Sequence, residues 1–422
     1  MRIGLVATRL AGTDGVSLET AKWRTVLQGM GHEVVVAAGE LGPAFAGGTA
    51  IPGLRLQHPT GAAVSAAAFR PGTDADALRA ALERSVRALL TPLRRWLDAT
   101  RPELLVVENA WAIPMQLPAG VALARLVAEA GVPAIGHHHD FAWERDRFAH
   151  PVVPEVLDEA FPPDLPCVAH AVINSAAAEQ LERRRGLRAH LVPNVLDFAV
   201  GPPPPATAPA ELRRALGLDP GDLVVLQPTR VVPRKGIELA IELLGRLRRP
   251  GARLLISHPA GDEGLDCLAE LQALARTWQV DLRYLAARFD ERPRTGRRPV
   301  FAFWDAYAAA DLVTYPSRYE GFGNALLEAV LYRRPVVVGR YPVFVRDIAP
   351  LGFRFVEVGD TITEATVEDV RALLDDPDAR REATELDYEL ARRHFSYEVL
   401  RERLEALVAD ALSGASAPTS IG

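Results

Sequence analysis

The sequence contains few sulfur-bearing residues, with two cysteines and three methionines among 422 residues. Cys167 and Cys267 lie far apart, and neither has a neighbouring thiol at the spacing of a zinc or disulfide site. Each is therefore predicted to be a buried thiol that packs as a small apolar residue. Disulfide-stapled and zinc-stapled folds are excluded by this count.

An excess of positive charge is also missing, because 48 basic residues face 54 acidic ones and the net charge is −6. This balance argues against a nucleic-acid partner bound through a basic face. No segment reaches the ~18 consecutive apolar residues of a membrane span. The start, MRIGLVAT, is typical of a buried strand rather than a signal peptide, so we expect a cytoplasmic protein.

The length of the chain predicts two domains, since domains usually run to roughly 100–200 residues. Short apolar runs alternate with amphipathic segments from the start of the chain, which is the βαβ pattern of a parallel sheet. In the first half we predict strands at residues 3–7, 33–38, 104–108, 132–136 and 171–174, with helices at 17–30, 75–99 and 120–130.

The stretch GPPPPATAPA at residues 201–210 breaks this pattern and is predicted to be a linker, because consecutive prolines cannot donate ladder hydrogen bonds. Beyond it the pattern resumes, with strands predicted at 223–227, 252–257, 281–286, 312–315 and 335–338 and helices at 236–247 and 324–332.

The predicted fold is α/β, with two doubly wound Rossmann-like domains whose parallel sheets face each other across a cleft. The predicted domains are 1–200 and 211–390, with a C-terminal helix at 391–412 that packs back on the first domain. The small, polar tail at 413–422 is expected to be disordered.

The segment YPSRYEGFGNALLEAV, residues 315–330, has the features of an anion-binding site. A strand end leads through Gly321 and Gly323 into a helix, whose first amides, from Phe322 to Ala325, can donate to a diphosphate. Glu320 and Glu328 bracket this helix start with seven residues between them. Two solvated or capping glutamates are the alternative interpretation.

A second motif, QPTRVVPRKG at residues 227–236, places Arg230 and Lys235 after a predicted strand of the second sheet. Ligands of doubly wound domains bind at the carboxyl edge of the strands. Two cations at that edge would neutralise a diphosphate and the charge that grows on it as it leaves. Taken alone, this spacing is also typical of surface charge.

Together these motifs resemble the retaining GT-B glycosyltransferases of family 4. The segment VPNVLD at 192–197 is similar to the family's PNG-x-D signature, with Val195 in the place of glycine. The resemblance implies that Glu328 binds the ribose, that Glu320 lies beside the transferred sugar, and that Arg230 and Lys235 hold the diphosphate. It further implies donor contacts from Gly15, Ser317, Gly321, Phe322, Gly323 and Asn324.

The loop TRLAGTDGVS, residues 8–17, is similar to the glycine-bearing first loop of that family, where Gly12 and Gly15 would let donor and acceptor approach. The resemblance also implies that His139 and Asp140 belong to the catalytic set, with His139 in contact with the donor sugar. Which of His137, His138 and His139 faces the sugar stays open. Consecutive side chains of an extended segment alternate in direction, so the three histidines form a poor ligand set and no metal site is predicted.

Longer segments resemble a narrower group, the bacterial mannosylglucosyl-3-phosphoglycerate synthases: VENAWAIPM at 107–115, HHHDFAWERDRF at 137–148, and residues 320–345. That resemblance implies transfer of mannose from GDP-mannose to glucosyl-3-phosphoglycerate in compatible-solute synthesis. The acceptor would be a small phosphorylated glycoside. Its candidate ligands are Gly12, Asp14, Lys22, Arg70, His137, His138 and Arg145, although each basic side chain could equally be a solvated surface group.

The resemblance implies same-face attack, in which the leaving phosphate accepts the proton of the acceptor and no covalent intermediate forms. The motifs require no cofactor, and a divalent cation such as Mg²⁺ stays open, as does a homodimer. Three other interpretations remain: a family 4 enzyme with a different donor and acceptor, a nucleotide-sugar epimerase of the same fold, and a non-catalytic sugar or nucleotide binder.

Overall fold

The computed structural model describes residues 1–12, 14–260 and 265–415 of the chain. Thr13, in the predicted first loop, and 416–422, most of the tail predicted to be disordered, lie outside the described residues. The chain divides into two compact units. The first unit comprises Met1–Asn194 and Tyr397–Gly422, and the second comprises Val195–Ser396, which includes the proline-rich stretch predicted to be a linker.

The first unit is built on a seven-stranded sheet in the order β3-β2-β1-β4-β5-β6-β7, in which all neighbouring strands run parallel. Its central strands are unbroken buried runs, as expected for a parallel sheet covered on both faces. The strands are β1 (Arg2–Leu10), β2 (Glu33–Leu41), β3 (Thr49–Ala50), β4 (Leu104–Glu108), β5 (Ala134–His138), β6 (Val168–Val172) and β7 (Ala189–Leu191).

Several helices of the first unit begin at an oxygen-bearing side chain that caps the first turn. Asp14, Asp74 and Asn174 each accept a hydrogen bond from a first-turn amide, which satisfies a donor that the helix itself leaves unpaired. The helices of this part of the chain are α1 (Gly15–Gly29), α2 (Pro59–Ala67), α3 (Ala75–Thr100), α4 (Leu117–Ala130), α5 (Pro154–Ala160) and α6 (Ser175–Arg185).

The second unit contains a six-stranded parallel sheet in the order β10-β9-β8-β13-β14-β15, and β11 and β12 form a separate pair. The strands are β8 (Leu223–Gln227), β9 (Ala252–Ile256), β10 (Asp281–Tyr284), β11 (Phe289–Asp290), β12 (Phe301–Ala302), β13 (Leu312–Tyr315), β14 (Val336–Gly339) and β15 (Val356–Val358). The helices are α7 (Pro209–Ala215), α8 (Ile237–Leu247), α9 (Leu265–Thr277), α10 (Phe303–Ala309), α11 (Asn324–Leu331), α12 (Glu364–Asp375) and α13 (Pro377–His394).

The last helix, α14 (Tyr397–Ala415), belongs to the first unit although it follows the second in sequence. It packs against α1 and against β5, β6 and β7. Leu400, Leu404 and Leu407, spaced at helical intervals along α14, are fully buried. No helix among the described residues is long and apolar enough to cross a membrane.

The order in which strands are added to each large sheet reverses at one point. In the first sheet β1 lies between β2 and β4, and in the second sheet β8 lies between β9 and β13. Successive connections therefore depart to opposite sides of the first strand, which leaves a crevice outside the carboxyl ends of the strands. The loops that follow β1, β4, β8 and β13 are thus the places to look for ligand contacts.

The apolar runs located most of the central strands, and three of the predicted ranges have the same bounds as β4, β8 and β13. The prediction for β5 was wrong by two residues, because the strand is Ala134–His138 rather than 132–136. His137 and His138 are therefore strand residues that pair with β6 rather than loop residues. Pairing with buried neighbours on both sides extends the strand beyond its purely apolar part.

One buried carboxyl group of the second unit predicts a pH effect on stability. Asp387 in α13 is 3% exposed, and its carboxyl accepts a hydrogen bond of 2.6 Å from the backbone amide of Arg354. Burial raises the pKa of Asp387 from 3.8 to about 7. Between these pH values the unfolded chain has released the proton and the folded protein keeps it, so this group makes stability fall as the pH rises.

We expect Asp387→Asn to remove this contribution. We expect the free energy of unfolding, measured with urea at pH 5 and pH 8, to change in favour of the variant. Its advantage over the wild type should be about 2–3 kcal/mol larger at pH 8 than at pH 5. Buried histidines act in the opposite direction, so the measurement compares the two proteins rather than reading the wild type alone. Asp378→Asn, in the same helix but exposed, is the matched control. The assignment would be contradicted if the free energy of unfolding changed between pH 5 and pH 8 by the same amount in Asp387→Asn as in the wild type.

Candidate active site

In the second unit, the loops after β8 and β13 meet at the point where the strand order reverses. Gly236 has a φ of 62°, and a Cβ at this position would lie 2.2 Å from the carbonyl oxygen of Pro316. The amide of Arg318 donates to the carbonyl of Arg234 at 2.8 Å. Glycine is therefore required at position 236, both for its backbone conformation and for the close approach of the two loops.

The two loops bring together a buried ion pair. The Lys235 ammonium contacts Oε1 of Glu320, and the Arg234 guanidinium donates to Oε2 of the same carboxylate at 3.1 Å. Lys235 and Glu320 are each 8% exposed. Lys235 also lies 5.4 Å from the centre of the Tyr315 ring. Two motifs that are 85 residues apart in sequence thus form one polar cluster.

The protonation of this pair follows from its burial and its charges. Burial alone would raise the pKa of Glu320, but the charges of Lys235 and Arg234 lower it below its ordinary value. Burial lowers the pKa of Lys235, an effect that the charge of Glu320 opposes and that the nearby Arg234 and Arg230 reinforce. Glu320 is therefore an anion at neutral pH whose charge is matched by two cations.

Arg230, predicted to act with Lys235, lies exposed in the loop after β8. Burial is the largest cause of the lowered pKa of Lys235 and of His258, and the charge of Arg230 lowers both further. Arg230 is therefore close enough to act on the same charged groups. The cation that directly contacts Glu320 beside Lys235 is instead Arg234, which the sequence interpretation overlooked although it lies within the same motif.

Gly323 is the N-cap residue of α11, and its φ is 131°. A Cβ there would lie 2.5 Å from the hydroxyl of Tyr341, and that hydroxyl donates to the Phe322 carbonyl at 2.7 Å. Phe322 and Ser317 are buried, whereas Gly321 and Asn324 are partly exposed. The glycine loop is thus fixed from behind, so that the start of α11 presents amides and a positive dipole end suited to an anion.

Glu328 lies one turn inside α11 and is oriented by a tyrosine that the sequence analysis did not identify. The Tyr307 hydroxyl donates to Oε2 of Glu328 at 2.6 Å. Tyr307 is buried in α10, and its ring stacks on Tyr332. Burial, followed by the charge of Glu328, raises the pKa of Tyr307 well above its ordinary value, so the phenol remains a donor.

In the first unit, a second polar cluster forms where β4 and β5 end. His137 Nδ1 lies 2.8 Å from Glu108 Oε2, and His139 Nε2 lies 3.9 Å from the same oxygen. His137 and His139 are two positions apart, so they share one face of the chain, and Trp23 stacks on the His137 ring at 4.0 Å. Glu108 was not among the predicted residues.

The histidines of this cluster are uncharged, so His137 is not a cation for the acceptor as the sequence predicted. Burial lowers the pKa of His137 and of His139 to about 3, and burial raises the pKa of Glu108 to about 7. His138 points to the other face, where its Nε2 lies 3.0 Å from His170 Nδ1, and it is 1% exposed. A role for His138 as an exposed acceptor ligand does not fit this position.

The loop after β5 is tied to Asn109, which adopts a φ of 53°. Its Oδ1 accepts from the His139 amide at 2.9 Å, and its Nδ2 lies 3.4 Å from Asp140. Asp140 also accepts from Nε of Arg145 at 2.6 Å. Asp140, predicted as a catalytic residue, and Arg145, predicted as an acceptor ligand, thus form an ion pair with each other.

The other predicted residues of the first unit lie in or near its first loop, apart from Arg70, which is exposed beyond α2. Gly12 has a φ of 78°, and Asp14 caps α1 by accepting from the amide and the hydroxyl of Ser17. Lys22 is paired with the buried Glu19 at 2.5 Å. Gly15 begins α1, and a Cβ there would meet no atom of the described residues within 4 Å.

Comparison with known proteins identifies the family. The family of group 1 glycosyl transferases matches residues 210–389. The sequence is 34% identical to mannosylglucosylglycerate synthase of Thermotoga maritima, over 96% of this chain and 99% of the relative. The enzyme of the same name from Petrotoga mobilis is 33% identical over 85% of this chain and 87% of its own. The chain therefore belongs to the group 1 glycosyltransferases, as a relative of these two synthases.

This membership confirms the predicted family and the prediction that the protein is an enzyme, a glycosyltransferase. Its fold is also similar to that of sucrose-phosphate synthase from Thermosynechococcus elongatus, with a TM-score of 0.65 at 16% identity over 98% of this chain and 99% of the other. Together with the two parallel sheets, this similarity confirms the predicted GT-B fold with two Rossmann-like domains.

Proposed function

We propose that this glycosyltransferase transfers mannose from GDP-mannose to an acceptor with a glucosylglycerate skeleton, with retention of configuration at the sugar. The observation that carries the proposal is the identity of 34% to a mannosylglucosylglycerate synthase along nearly the full length of both chains. The name of that relative joins a mannosyl group to a glucosyl and a glycerate group.

The second unit supports the donor half of the proposal. Lys235, Arg234 and the start of α11 supply positive charge within one cluster, and a diphosphate that binds there would have its departing charge stabilised. Glu328, held by Tyr307, can accept from the ribose hydroxyls. Glu320 is ionised and can accept from hydroxyls of the transferred sugar as the sugar centre becomes oxocarbenium-like.

Retention follows in this proposal from attack on the face from which the diphosphate departs. The leaving phosphate, neutralised by Lys235 with help from Arg230, takes the proton of the acceptor hydroxyl as the new bond forms. Positioning and charge stabilisation then supply most of the rate. No covalent sugar intermediate and no cofactor is part of this scheme.

The proposed acceptor is either glucosylglycerate or its 3-phosphate, and both compounds carry a carboxylate. The sequence resemblance favours the phosphorylated form, whereas the name of the Thermotoga relative contains no phosphate. The anionic group would be bound in the first unit, where Lys22, Arg70 and Arg145 are the candidate cations. All three are side chains of that unit, and Lys22 and Arg145 already pair with carboxylates there.

The proposal is tested by incubating the purified protein with GDP-, UDP- and ADP-sugars, each with glucosylglycerate, glucosyl-3-phosphoglycerate or no acceptor. We expect release of GDP from GDP-mannose only when one of the two acceptors is present, and proton NMR of the product should show the anomeric configuration of the donor. Activity restricted to another donor would keep the family and overturn the substrates, and inversion would overturn the mechanism.

Two rival functions give different results in the same panel. A nucleotide-sugar epimerase would isomerise the donor when no acceptor is present. A non-catalytic binder would retain the donor unchanged under every condition. The ion pair of Lys235 with Glu320, poised at a predicted diphosphate position, favours transfer over either rival.

A further inference from the structure

The cluster of Glu108, His137 and His139 has a composition that the glycosyl transfer proposed above does not require. One ligand atom from each residue can be chosen so that all three atoms lie within 4.8 Å of one another. Two neutral imidazoles and one carboxylate are the ligands of many sites for first-row divalent metals. This set was not predicted from the sequence, because Glu108 lies 29 residues before His137 and the three consecutive histidines alone form a poor ligand set.

The polar atoms of the cluster are buried, and several have no partner. The side chains of Glu108, His137 and His139 are 0%, 1% and 9% exposed. Among the described residues, Glu108 Oε1, His137 Nε2 and His139 Nε2 make no hydrogen bond. A buried polar atom without a partner is costly, so an ion held by Glu108 and His139 would satisfy atoms that the protein leaves unpaired, with His137 contributing Nδ1, the ring nitrogen that faces Glu108.

The backbone holds this set in place. Glu108 and His137 are paired across the parallel strands β4 and β5, and His139 is fixed by the hydrogen bond from its amide to Asn109. Trp23 stacks on His137 and fixes the plane of its ring. Ligand atoms around a tetrahedral zinc ion are separated by about 3.3 Å, a value that lies between the 2.8 Å and 3.9 Å found here.

We propose that Glu108, His137 and His139 bind one divalent transition-metal ion of the Zn²⁺ class in the first unit. The two nitrogen ligands disfavour Mg²⁺, which binds almost exclusively through oxygen. Three protein ligands leave at least one coordination position for water or a hydroxyl group. The charged groups near the ion would be Lys22, which is already paired with Glu19, and Asp140, which is paired with Arg145.

The test uses the full chain after treatment with a chelator, with no nucleotide or sugar present, so its result is independent of the proposed transfer reaction. Co²⁺ is titrated while its visible absorption bands are followed, and Zn²⁺ binding is measured by calorimetry. We expect one ion per chain, loss of the Co²⁺ bands when Zn²⁺ is added, and a melting temperature that rises with Zn²⁺ concentration.

Two variants locate the site. Glu108→Gln keeps the size of the side chain and should weaken Zn²⁺ binding at least about 100-fold, because even an outer partner of a ligand contributes 10- to 100-fold. His138→Gln removes a neighbouring imidazole that faces His170 and should leave the affinity unchanged. His139→Gln, at the edge of the cluster, replaces Glu108→Gln if that variant does not fold. A wild-type protein that takes up neither ion, or a ligand variant that binds as tightly as the wild type, would overturn the proposal.

Discussion

Replacement of Lys235 by alanine should lower kcat by about 10²–10³-fold, which corresponds to about 3–4 kcal/mol of lost transition-state stabilisation. The reason is that the ammonium group sits beside Glu320, where the proposed scheme places the departing diphosphate. Lys235→Arg, which keeps the charge but changes its shape, should recover part of this loss. Steady-state kinetics with saturating donor and acceptor is the measurement.

Stability must be followed in the same experiment, because the lysine is buried with its partner. Its removal leaves Arg234 as the cation in contact with Glu320, and breaking a buried pair can cost about 3–5 kcal/mol. Rates are therefore compared at a temperature where thermal melting shows each protein to be folded. Arg318→Ala, which removes an exposed cation from the adjoining loop, is the control and should leave kcat nearly unchanged. Wild-type turnover in folded Lys235→Ala would remove the leaving-group assignment.

The substitution Gly15→Val should lower kcat/KM by about 10²-fold while leaving the protein folded. Gly15 does not have a positive φ, and a Cβ there meets no atom within 4 Å in the part of the chain that the structure describes, so a side chain has room among those residues. If the first loop admits donor phosphate, as the family resemblance implies, the added methyl groups would occupy the space of the ligand. Displacement of the reacting groups by about 1 Å is enough for the expected loss.

The other end of the same helix offers a matched control for this substitution. Gly29, the last residue of α1, likewise has no positive φ, and a Cβ added to it would have no atom of residues 1–12, 14–260 or 265–415 within 4 Å. Gly29→Val should therefore match Gly15→Val in melting temperature and the wild type in kinetics. Equal activity of the two variants would show that no substrate group approaches Gly15.

Much of the fold could be predicted because parallel strands buried on both faces are read directly as apolar runs. This is why β4, β8 and β13 were located to the residue. The contact of Lys235 with Glu320 follows from the same logic, since both residues lie just beyond strands that are neighbours in the sheet. Position after a strand end was sufficient information in that case.

Contacts that depend on register or on a distant helix could not be predicted in this way. Glu108 meets His137 because β4 and β5 align these two residues, and nothing local in either segment specifies the alignment. Tyr307 reaches Glu328 from a helix that precedes β13, where its aromatic side chain was indistinguishable from an ordinary core residue. The separation of His138 from its two neighbours likewise required knowing that β5 continues to residue 138.

The return of α14 to the first unit imposes an order on folding during synthesis. The second unit is one continuous segment of chain, so it can fold as soon as it has left the ribosome. Most of the first unit is translated earlier, but it lacks α14, which packs against β5 and β6, until the residues from Tyr397 onward have emerged. The strand that bears His137 and His138 therefore reaches its finished packing last, and a nascent chain that stops before residue 397 leaves that apolar surface exposed to chaperones.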